Sequence, residues 1–256
     1  MWPFSKRSLL ADSHILNGFT DYHTHLLPGV DDGVLTLEEA LEALYGLERY
    51  GVKSVWLTPH IMEEIPNTTL HLQARFRELK AVYRGTIELH LAAEYMMDNL
   101  FEVRLAENDL LPLRGNYLLV ETSCFNPPMD MDNILERIVE RGYFPVLAHP
   151  ERYVYLTMND FYRLKTIRVQ FQLNLPSIAG VYGRTVRITA EKLLQKNLYD
   201  FIGSDMHSLS HFRHVVHTKA GIKHIRRLRV LAILQQYDPA YNNPPVQRDE
   251  TNKHDK

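Results

Sequence analysis

Two histidines one residue apart, His23 and His25, are the first group along the chain that could do chemistry. They follow Asp21 and precede the segment Leu-Pro-Gly-Val-Asp-Asp-Gly at positions 27–33. If residues 18–22 form a strand, the alternation of side chains along it places both imidazoles on one side. Two neutral imidazoles with carboxylates nearby can chelate a divalent cation. The alternative is an exposed strand end that carries two titratable histidines.

Further groups of this kind recur along the chain, each directly after an apolar segment with strand character. A single loop histidine is usually a surface residue, so any one of these groups taken alone could be incidental. Their shared placement after strands favours a common metal site, because the carboxyl ends of the strands of a parallel barrel reach one face. The recurring groups are His60, Glu94, His149, Asp205 and His207.

The strand-like segments alternate with helical patterns in which apolar residues recur at spacings of three and four. The first helical pattern opens with Thr36 and Glu39 in the arrangement of a capping box. Parallel strands need crossover connections, so the alternation predicts an α/β fold with about seven βα units around a parallel sheet. The predicted strands are 18–22, 52–57, 87–91, 117–120, 144–148, 169–173 and 200–203. The predicted helices are 37–50, 68–84, 98–106, 130–141, 159–166, 185–196 and 218–235.

The composition is that of an ordinary globular protein, with 45% hydrophobic and 23% charged residues. A formal net charge of −2 provides no overall basic field, so nucleic acid is not an expected partner. The single cysteine, Cys124, excludes an internal disulfide framework and suits a reducing compartment. The first residues lack the long apolar core of a signal peptide, and no run of 18 apolar residues predicts a membrane span. We therefore expect a cytoplasmic protein without direct membrane insertion.

The combined motifs resemble those of the PHP-domain (polymerase and histidinol phosphatase) tyrosine phosphatases of bacterial capsule and exopolysaccharide loci. The motifs are Asp-x-His-x-His, Leu-Pro-Gly-x-Asp-Asp-Gly, Thr-Pro-His, His-Pro-Glu-Arg-Tyr and Ser-Asp-x-His, and they extend over residues 19–207. The resemblance implies a distorted (β/α)7 barrel of the PHP type over residues 18–237, with the metal site at the C-terminal ends of the strands. Residues 1–17 are then an N-terminal extension. The polar tail 238–256 is expected to be disordered.

The resemblance also implies a site. Arg152 and Asp205 are the expected catalytic residues, with Arg152 binding phosphate through its planar fork; a surface ion pair is the alternative for this arginine. Asp31 matches the first aspartate of its motif, although a turn-forming role beside Gly33 fits it equally. The expected metal ligands are His23, His25, Asp32, His60, Glu94, His149, Asp205 and His207.

The implied reaction is hydrolysis of phosphotyrosine on a protein, a bacterial tyrosine autokinase of polysaccharide export. The expected cofactor is Mn²⁺, with two to three ions, and Fe²⁺ or Zn²⁺ as alternatives. Five histidines and three carboxylates without a thiolate suit these metals. Clustered ions can activate water, so attack by a metal-bound hydroxide is the expected chemistry. The oligomeric state, including a homo-oligomer, is left open.

Two positions depart from the resembling family. Many relatives carry a second histidine after Thr-Pro-His, where this chain has Ile61. Relatives also carry a second phosphate-binding arginine downstream of the Ser-Asp-x-His motif. The nearest candidate here is Arg213, with Phe212 as the alternative occupant of that position.

Other phosphatase chemistries do not fit the sequence. A cysteine-based mechanism needs an arginine six positions after the cysteine, and six positions after Cys124 stands Asp130. No GxxxxGK[ST] loop is present, which argues against nucleotide hydrolysis of the P-loop type. Two alternatives stay open: a small-molecule phosphoester hydrolase resembling histidinol phosphatase, and a catalytically silent barrel that binds a partner.

Overall fold

The structure, a computed structural model, describes residues 6–236 of the 256-residue chain. The tail expected at 238–256 lies outside the described residues, and the expected extension 1–17 is described from residue 6 onward. The strands are β1 (Arg7–Leu9), β2 (Thr20–Thr24), β3 (Ser54–Leu57), β4 (His60–Ile61), β5 (Glu88–Leu91), β6 (Glu94–Met96), β7 (Tyr117–Glu121), β8 (Phe144–Ala148), β9 (Gln170–Asn174), β10 (Phe201–Gly203) and β11 (Lys219–Gly221).

Helices separate most of these strands, as the sequence predicts. The first begins at the predicted capping box: Thr36 Oγ1 accepts from the Glu39 backbone N–H at 3.2 Å, and Glu39 Oε2 accepts from the Thr36 N–H at 3.1 Å. The helices are α1 (Leu37–Arg49), α2 (Thr69–Val82), α3 (Asn99–Glu107), α4 (Met131–Glu140), α5 (Met158–Thr166), α6 (Leu175–Ala179), α7 (Gly183–Gln195), α8 (Leu209–Val216) and α9 (Ile222–Leu234). Within the described chain, no helix has the length and apolar character needed to cross a membrane.

The main strands form two parallel sheets, which confirms the predicted parallel α/β fold. One has the order β2-β3-β5 and the other the order β10-β9-β8-β7-β6-β4. At the interruption between β5 and β6, the Ala92 N–H donates to Leu57 O at 2.9 Å and the Glu94 N–H donates to Pro59 O at 3.1 Å. The predicted third strand, 87–91, corresponds to β5, and the short strand β6 that follows it pairs in the other sheet.

Backbone hydrogen bonds also connect the end of β2 to the segment after β10. The Asp205 N–H donates to His23 O at 2.8 Å, and the His25 N–H donates to Met206 O at 2.9 Å. The buried side chain of Asp21 strengthens the same junction, since its Oδ1 accepts from the Ser204 N–H at 2.8 Å. The carboxyl ends of β2 and β10 are thereby held side by side.

The inward side chains of the strands form an apolar group that we call the inner apolar cluster. It is separate from the larger core, in which the helices pack on the outer side of the strands. The rings of Tyr117 and Phe201 meet edge to face with their centroids 5.2 Å apart, a favourable aromatic geometry. The cluster consists of Tyr22, Ala92, Leu113, Tyr117, Leu119, Val146, Ala148 and Phe201.

The prediction of one helix over 218–235 is wrong at its beginning. Lys219–Gly221 is β11, and it pairs antiparallel with β1, so that Arg7 lies opposite Gly221. The sequence also gave no indication of α8, whose start is capped by Ser208 Oγ accepting from the His211 N–H at 3.2 Å. The error arises because β11 owes its conformation to a partner strand more than 200 positions away, which no local pattern records.

Candidate metal centre

His23 and His25 lie at the end of β2 and are fully buried. Their Nε2 atoms are 3.0 Å apart, so both imidazoles point to the same place, as the spacing predicts. The pairing of β2 with β3 shifts register between Asp21 and Thr24, an irregularity of the kind that re-aims side chains at strand ends. Gln172 Oε1 accepts a hydrogen bond from His23 Nδ1 at 2.9 Å. The Nε2 atom of His23 is therefore the nitrogen available to bind a metal ion.

The loop after β2 orients His25. Asp31 Oδ2 accepts from His25 Nδ1 at 2.8 Å and from the His60 backbone N–H at 3.1 Å, while Oδ1 accepts from the Gly33 N–H at 3.0 Å. A Cβ atom at Gly33 would lie 2.0 Å from His25 O, so only glycine fits this close approach. Asp31 thus combines the turn-forming role with that of fixing the tautomer of a histidine, which presents Nε2 to the cluster.

Glu94 is the centre of the arrangement. Its carboxylate is 1% exposed, and its oxygens lie near the ring nitrogens of four histidines. Glu94 Oε2 is 3.0 Å from His23 Nε2, 3.4 Å from His25 Nε2 and 3.2 Å from His60 Nδ1, and Oε1 is 3.2 Å from His149 Nε2. A single carboxylate therefore lies beside four histidines from three different strand ends.

Glu121 is a member of the cluster that the sequence reasoning missed. Its Oε1 lies 3.1 Å from His60 Nδ1 and its Oε2 lies 3.6 Å from His149 Nε2. It is the last residue of β7 and is nearly buried. The signal that could have identified it is the period of two: Tyr117, Leu119 and Glu121 share one face of the strand.

A third part of the cluster lies at its rim. His207 Nε2 is 3.3 Å from Asp32 Oδ1, and His60 Nε2 is 3.6 Å from the same oxygen. The Asp32 side chain is 64% exposed, whereas the imidazole of His207 stacks on that of His25 with centroids 4.1 Å apart. This part of the site is consequently open to solvent and to a substrate.

Asp205 connects the cluster to Arg152. Its Oδ1 lies 3.6 Å from His23 Nε2 and 3.5 Å from His25 Nε2. Its Oδ2 accepts from Asn174 Nδ2 at 2.7 Å and from Arg152 Nη1 at 3.3 Å. Asp205 has a left-handed backbone conformation with φ of +51°, a conformation that costs energy for a residue with a side chain and is often found at functional sites.

Arg152 is held in place on two sides. Besides the contact with Asp205, its guanidinium lies over the ring of Tyr182, 4.5 Å from the ring centroid. The Arg152 side chain is 27% exposed, so part of its fork faces the opening of the site. The preceding residue, Glu151, is turned away from the site and accepts from the Asn174 N–H and from the Tyr199 hydroxyl. Arg152 is thus positioned to bind an anion beside the cluster, and Glu151 is not.

The structure shows where the residues lie at the two positions that depart from the resembling family. Ile61 is buried in the main core. Phe212 on α8 is also buried, and its ring packs edge to face against Tyr50 with centroids 5.6 Å apart. Arg213 is exposed and, with His207 and Ser210, lines a groove of about 350 Å³ beside the rim of the cluster. Arg213 therefore lies near the site without contacting the central residues.

The buried carboxylates of the cluster need positive charge beside them. Burial alone would raise the pKa of Glu94, but His23 and His60 hold that pKa well below its usual range. Burial would likewise lower the pKa of His23, and the neighbouring Glu94 and Asp205 raise it to about 9 instead. Neither oxygen of Glu94 accepts a hydrogen bond of ordinary geometry from the described residues. A buried carboxylate without such partners requires a positive charge beside it.

This arrangement fits divalent metal ions. Three overlapping groups each bring nitrogen and oxygen atoms to within 4.8 Å of one another, and all are free of sulfur, a donor set suited to Mn²⁺, Fe²⁺ or Zn²⁺. His149 and Asp205 lie outside these groups but contact their members. The groups are His23, His25 and Glu94; His60, Glu94 and Glu121; and His25, Asp32, His60 and His207.

Comparisons with known proteins agree on one family. The family described as "Capsular polysaccharide synthesis, CpsB/CapC" matches residues 19–227. The chain is 28% identical over 196 residues to the tyrosine-protein phosphatase YwqE of Bacillus subtilis, covering 74% of this chain and 77% of YwqE. It is 30% identical over 211 residues to the tyrosine-protein phosphatase CpsB of Streptococcus agalactiae, covering 74% of this chain and 83% of CpsB.

A solved structure has the same fold. It comes from work on YwqE from Bacillus subtilis and CpsB from Streptococcus pneumoniae, described as unique metal-dependent tyrosine phosphatases. The TM-score is 0.71, with 85% of this chain and 94% of that chain covered at 22% sequence identity.

Proposed function

This protein belongs to the CpsB/CapC family of capsular polysaccharide synthesis, and from that premise we propose that it is a metal-dependent phosphatase that hydrolyses phosphotyrosine on a protein. The family's named members are tyrosine-protein phosphatases, in agreement with the activity expected from the sequence. One structural observation carries the proposal: the buried Glu94 carboxylate has four imidazoles around it and no hydrogen bond of ordinary geometry from the described residues.

We assign two to three divalent ions to the cluster, Mn²⁺ first and Fe²⁺ or Zn²⁺ as alternatives. Glu94 belongs to two of the three groups of candidate ligands, so its carboxylate would contribute to holding ions in both. Bound ions of this kind supply Lewis acidity, which activates water and neutralises phosphoryl oxygens. We propose that nine residues, which we call the ligand cluster, hold these ions. They are His23, His25, Asp32, His60, Glu94, Glu121, His149, Asp205 and His207.

Arg152 is the proposed phosphate-binding residue. Its partners Asp205 and Tyr182 fix the guanidinium, so little side-chain entropy is lost when the fork binds phosphate oxygens. Asp205 has two roles in this proposal, because Oδ1 faces the ligand histidines and Oδ2 binds Arg152. It therefore fixes the distance between the phosphate-binding group and the ligand cluster.

The full architecture that we propose is the distorted (β/α)7 barrel of the PHP type, with the site at the C-terminal ends of its strands. Support comes from the bonds between the residues after β10 and the end of β2, which join the outer edges of the two sheets. In that arrangement the strands run in the order β2, β3/β4, β5/β6, β7, β8, β9, β10, counting each interrupted strand once. The proposed domain is residues 18–237.

The substrate class that we propose is a phosphotyrosine protein, specifically a bacterial tyrosine autokinase of polysaccharide export. The relatives' names support the phosphotyrosine, and the exposed rim around Asp32 and His207 is open enough for a side chain presented by a protein. A cytoplasmic location is part of the proposal, since Cys124 is a free cysteine that suits a reducing compartment.

Steady-state kinetics on Arg152 variants test this function. With a phosphotyrosine peptide and Mn²⁺, we expect Arg152→Ala to lose about 10²–10³-fold in kcat/KM, since donors aimed at developing charge are typically worth that much. Metal content should be unchanged, because a guanidinium does not ligate cations. Arg152→Lys should recover only part of the activity, because lysine keeps the positive charge but lacks the bidentate geometry of the guanidinium.

The matched control is Arg213→Ala, which removes an exposed arginine beside the same opening. It should retain nearly full activity. Equal losses in the Arg152 and Arg213 variants would contradict the assignment of phosphate binding to Arg152. Faster turnover of histidinol phosphate than of the peptide would indicate the small-molecule hydrolase instead.

A further inference from the structure

The C-terminal part of the described chain has a charge that the rest of the molecule does not share. Residues 206–236 contain six lysines and arginines and no aspartate or glutamate, although the whole chain has 29 basic and 31 acidic residues. Basic residues at the start of the described chain lie beside this region. The cations that we group as the basic face are all exposed: Lys6, Arg7, Lys219, Lys223, Arg226 and Arg227.

Strand pairing assembles the basic face from two distant parts of the sequence. β1 pairs antiparallel with β11, with Arg7 opposite Gly221, and the Ile222 N–H donates to Lys6 O at 3.0 Å. Arg7 Nη2 also donates to Lys219 O at 2.7 Å. Lys6 and Arg7 are therefore fixed at the beginning of α9, where the other cations of the face are located.

These cations have no acidic partners in the part of the chain that the structure describes. Within residues 6–236, none of the six lies in an ion pair with a carboxylate. Glu191 is the one acidic residue of the adjoining helix α7, and its Oε1 lies 3.3 Å from His224 Nδ1 and 3.9 Å from Arg187 Nε. Among the residues that the structure describes, no carboxylate pairs with the basic face, so its positive charge can attract an external anionic partner.

The exposed side of α9 changes character along its length. His224, Leu228 and Leu231 pack toward the protein, which leaves the opposite side of the helix in solvent. On that side Lys223, Arg226 and Arg227 come first, and three apolar residues follow one turn later. Those residues are Val230 at 56%, Ile233 at 56% and Leu234 at 57% exposure.

We propose that the basic face and the exposed end of α9 dock on an anionic lipid surface. Cations attract acidic headgroups, and adjacent apolar side chains enter the boundary between headgroups and acyl chains. Acidic headgroups and acyl chains meet at one boundary, so an anionic lipid surface matches both the cations and the apolar residues that follow them on α9.

Vesicle co-sedimentation of the full-length protein with bound metal tests this proposal, which does not depend on the proposed phosphatase function. We expect binding to vesicles of phosphatidylglycerol and phosphatidylcholine, none to phosphatidylcholine alone, and weakening as salt rises. Each cation near the surface is worth roughly fivefold in partitioning, so Lys223→Gln with Arg226→Gln and Arg227→Gln should reduce binding by at least about tenfold. Separately, Ile233→Ser with Leu234→Ser should weaken binding with less change in its salt dependence.

The matched control removes the same charge from another exposed surface, as Arg77→Gln with Lys80→Gln and Arg84→Gln. This variant should bind vesicles like the wild type, and circular dichroism should show all variants folded. The proposal is overturned if the wild type does not bind anionic vesicles or if both triple variants lose binding equally. Binding to an acidic polypeptide without binding to vesicles would likewise overturn it and identify a protein partner.

Discussion

The inner apolar cluster and the ligand cluster lie on the same face of the same strands, yet they are built on opposite principles. On β7, Tyr117 and Leu119 belong to the apolar cluster, and Glu121, two residues further on, contacts His60 and His149. Likewise, Ala92 lies two residues before Glu94 at the start of β6, and Phe201 on β10 lies four residues before Asp205. A strand therefore carries stability and chemistry on one face, separated by one or two inward positions.

The two clusters differ in whether their members satisfy one another. In the apolar cluster the side chains pack against one another, and Phe201 makes edge-to-face contacts with both Tyr22 and Tyr117. In the ligand cluster, the oxygens of Glu94 are buried without hydrogen bonds of ordinary geometry from the described residues. The first cluster is therefore complete by itself, whereas the carboxylates of the second need positive charge beside them, which the proposed metal ions would supply.

Replacing Glu94 is expected to have the largest effect on function. Glu94→Gln keeps the size of the side chain but removes the negative charge that lies beside four imidazoles, so metal affinity should fall strongly. Metal ions are worth several kcal/mol of transition-state stabilisation, which corresponds to roughly 10³-fold or more in kcat/KM. The exposed Glu136→Gln on α4 serves as control and should change neither quantity. A fully active Glu94→Gln enzyme would show that this carboxylate is not a ligand.

Replacing Leu119 should instead lower stability and leave metal binding unchanged. Leu119→Ala opens a cavity in the inner apolar cluster and should lower the free energy of unfolding by about 2–5 kcal/mol. Urea unfolding in the presence of EDTA measures this loss without a contribution from bound metal. The folded fraction should still bind the wild-type number of ions. If metal binding is lost in proportion to stability, the two clusters are not independent.

Asp31→Asn is expected to have an intermediate effect. Asp31 contacts His25 Nδ1 and orients the ring without facing the central cluster. Removing such a carboxylate partner typically costs about 10–100-fold in metal affinity or activity. Titration with Mn²⁺ should show weaker binding at the His25 groups, with activity restored at high metal concentration. A loss that excess Mn²⁺ cannot restore would make Asp31 a ligand in its own right.

The smallest expected effect concerns the ring beneath Arg152. Cation–π contacts are worth about 0.5–2 kcal/mol, so Tyr182→Ala should raise KM for a phosphotyrosine peptide by roughly 2–30-fold. Tyr182→Phe keeps the ring and should behave like the wild type. Metal content should be the same in both variants. Equal KM values for the Ala and Phe variants would mean that the stack does not position Arg152.

Local patterns were sufficient to predict the alternation of strands and helices, the capping box at Thr36 and the convergence of the strand-end histidines. These features depend on residues close together in sequence or on the general rule that parallel strands end on one side. The pairing of β1 with β11 depends on contacts between distant segments, so the sequence did not reveal it.

Glu121 directly follows the predicted strand 117–120, but the sequence does not show that its side chain is directed at His60 and His149. The position of Phe212 could not be decided from the sequence either. Whether this residue or Arg213 faces the site depends on how α8 packs, and the packing of Phe212 on Tyr50 turns Arg213 to the surface. Both cases turn on side-chain direction, which the tertiary structure sets.

The metal content of the purified protein tests most directly whether cations complete the ligand cluster. Protein prepared without chelator, incubated with Mn²⁺ and freed of excess metal should contain two to three equivalents by elemental analysis. The Glu94→Gln variant should contain markedly fewer, with an unchanged circular dichroism spectrum. A folded wild-type protein that retains less than one equivalent would contradict the metal centre and the phosphatase mechanism that depends on it.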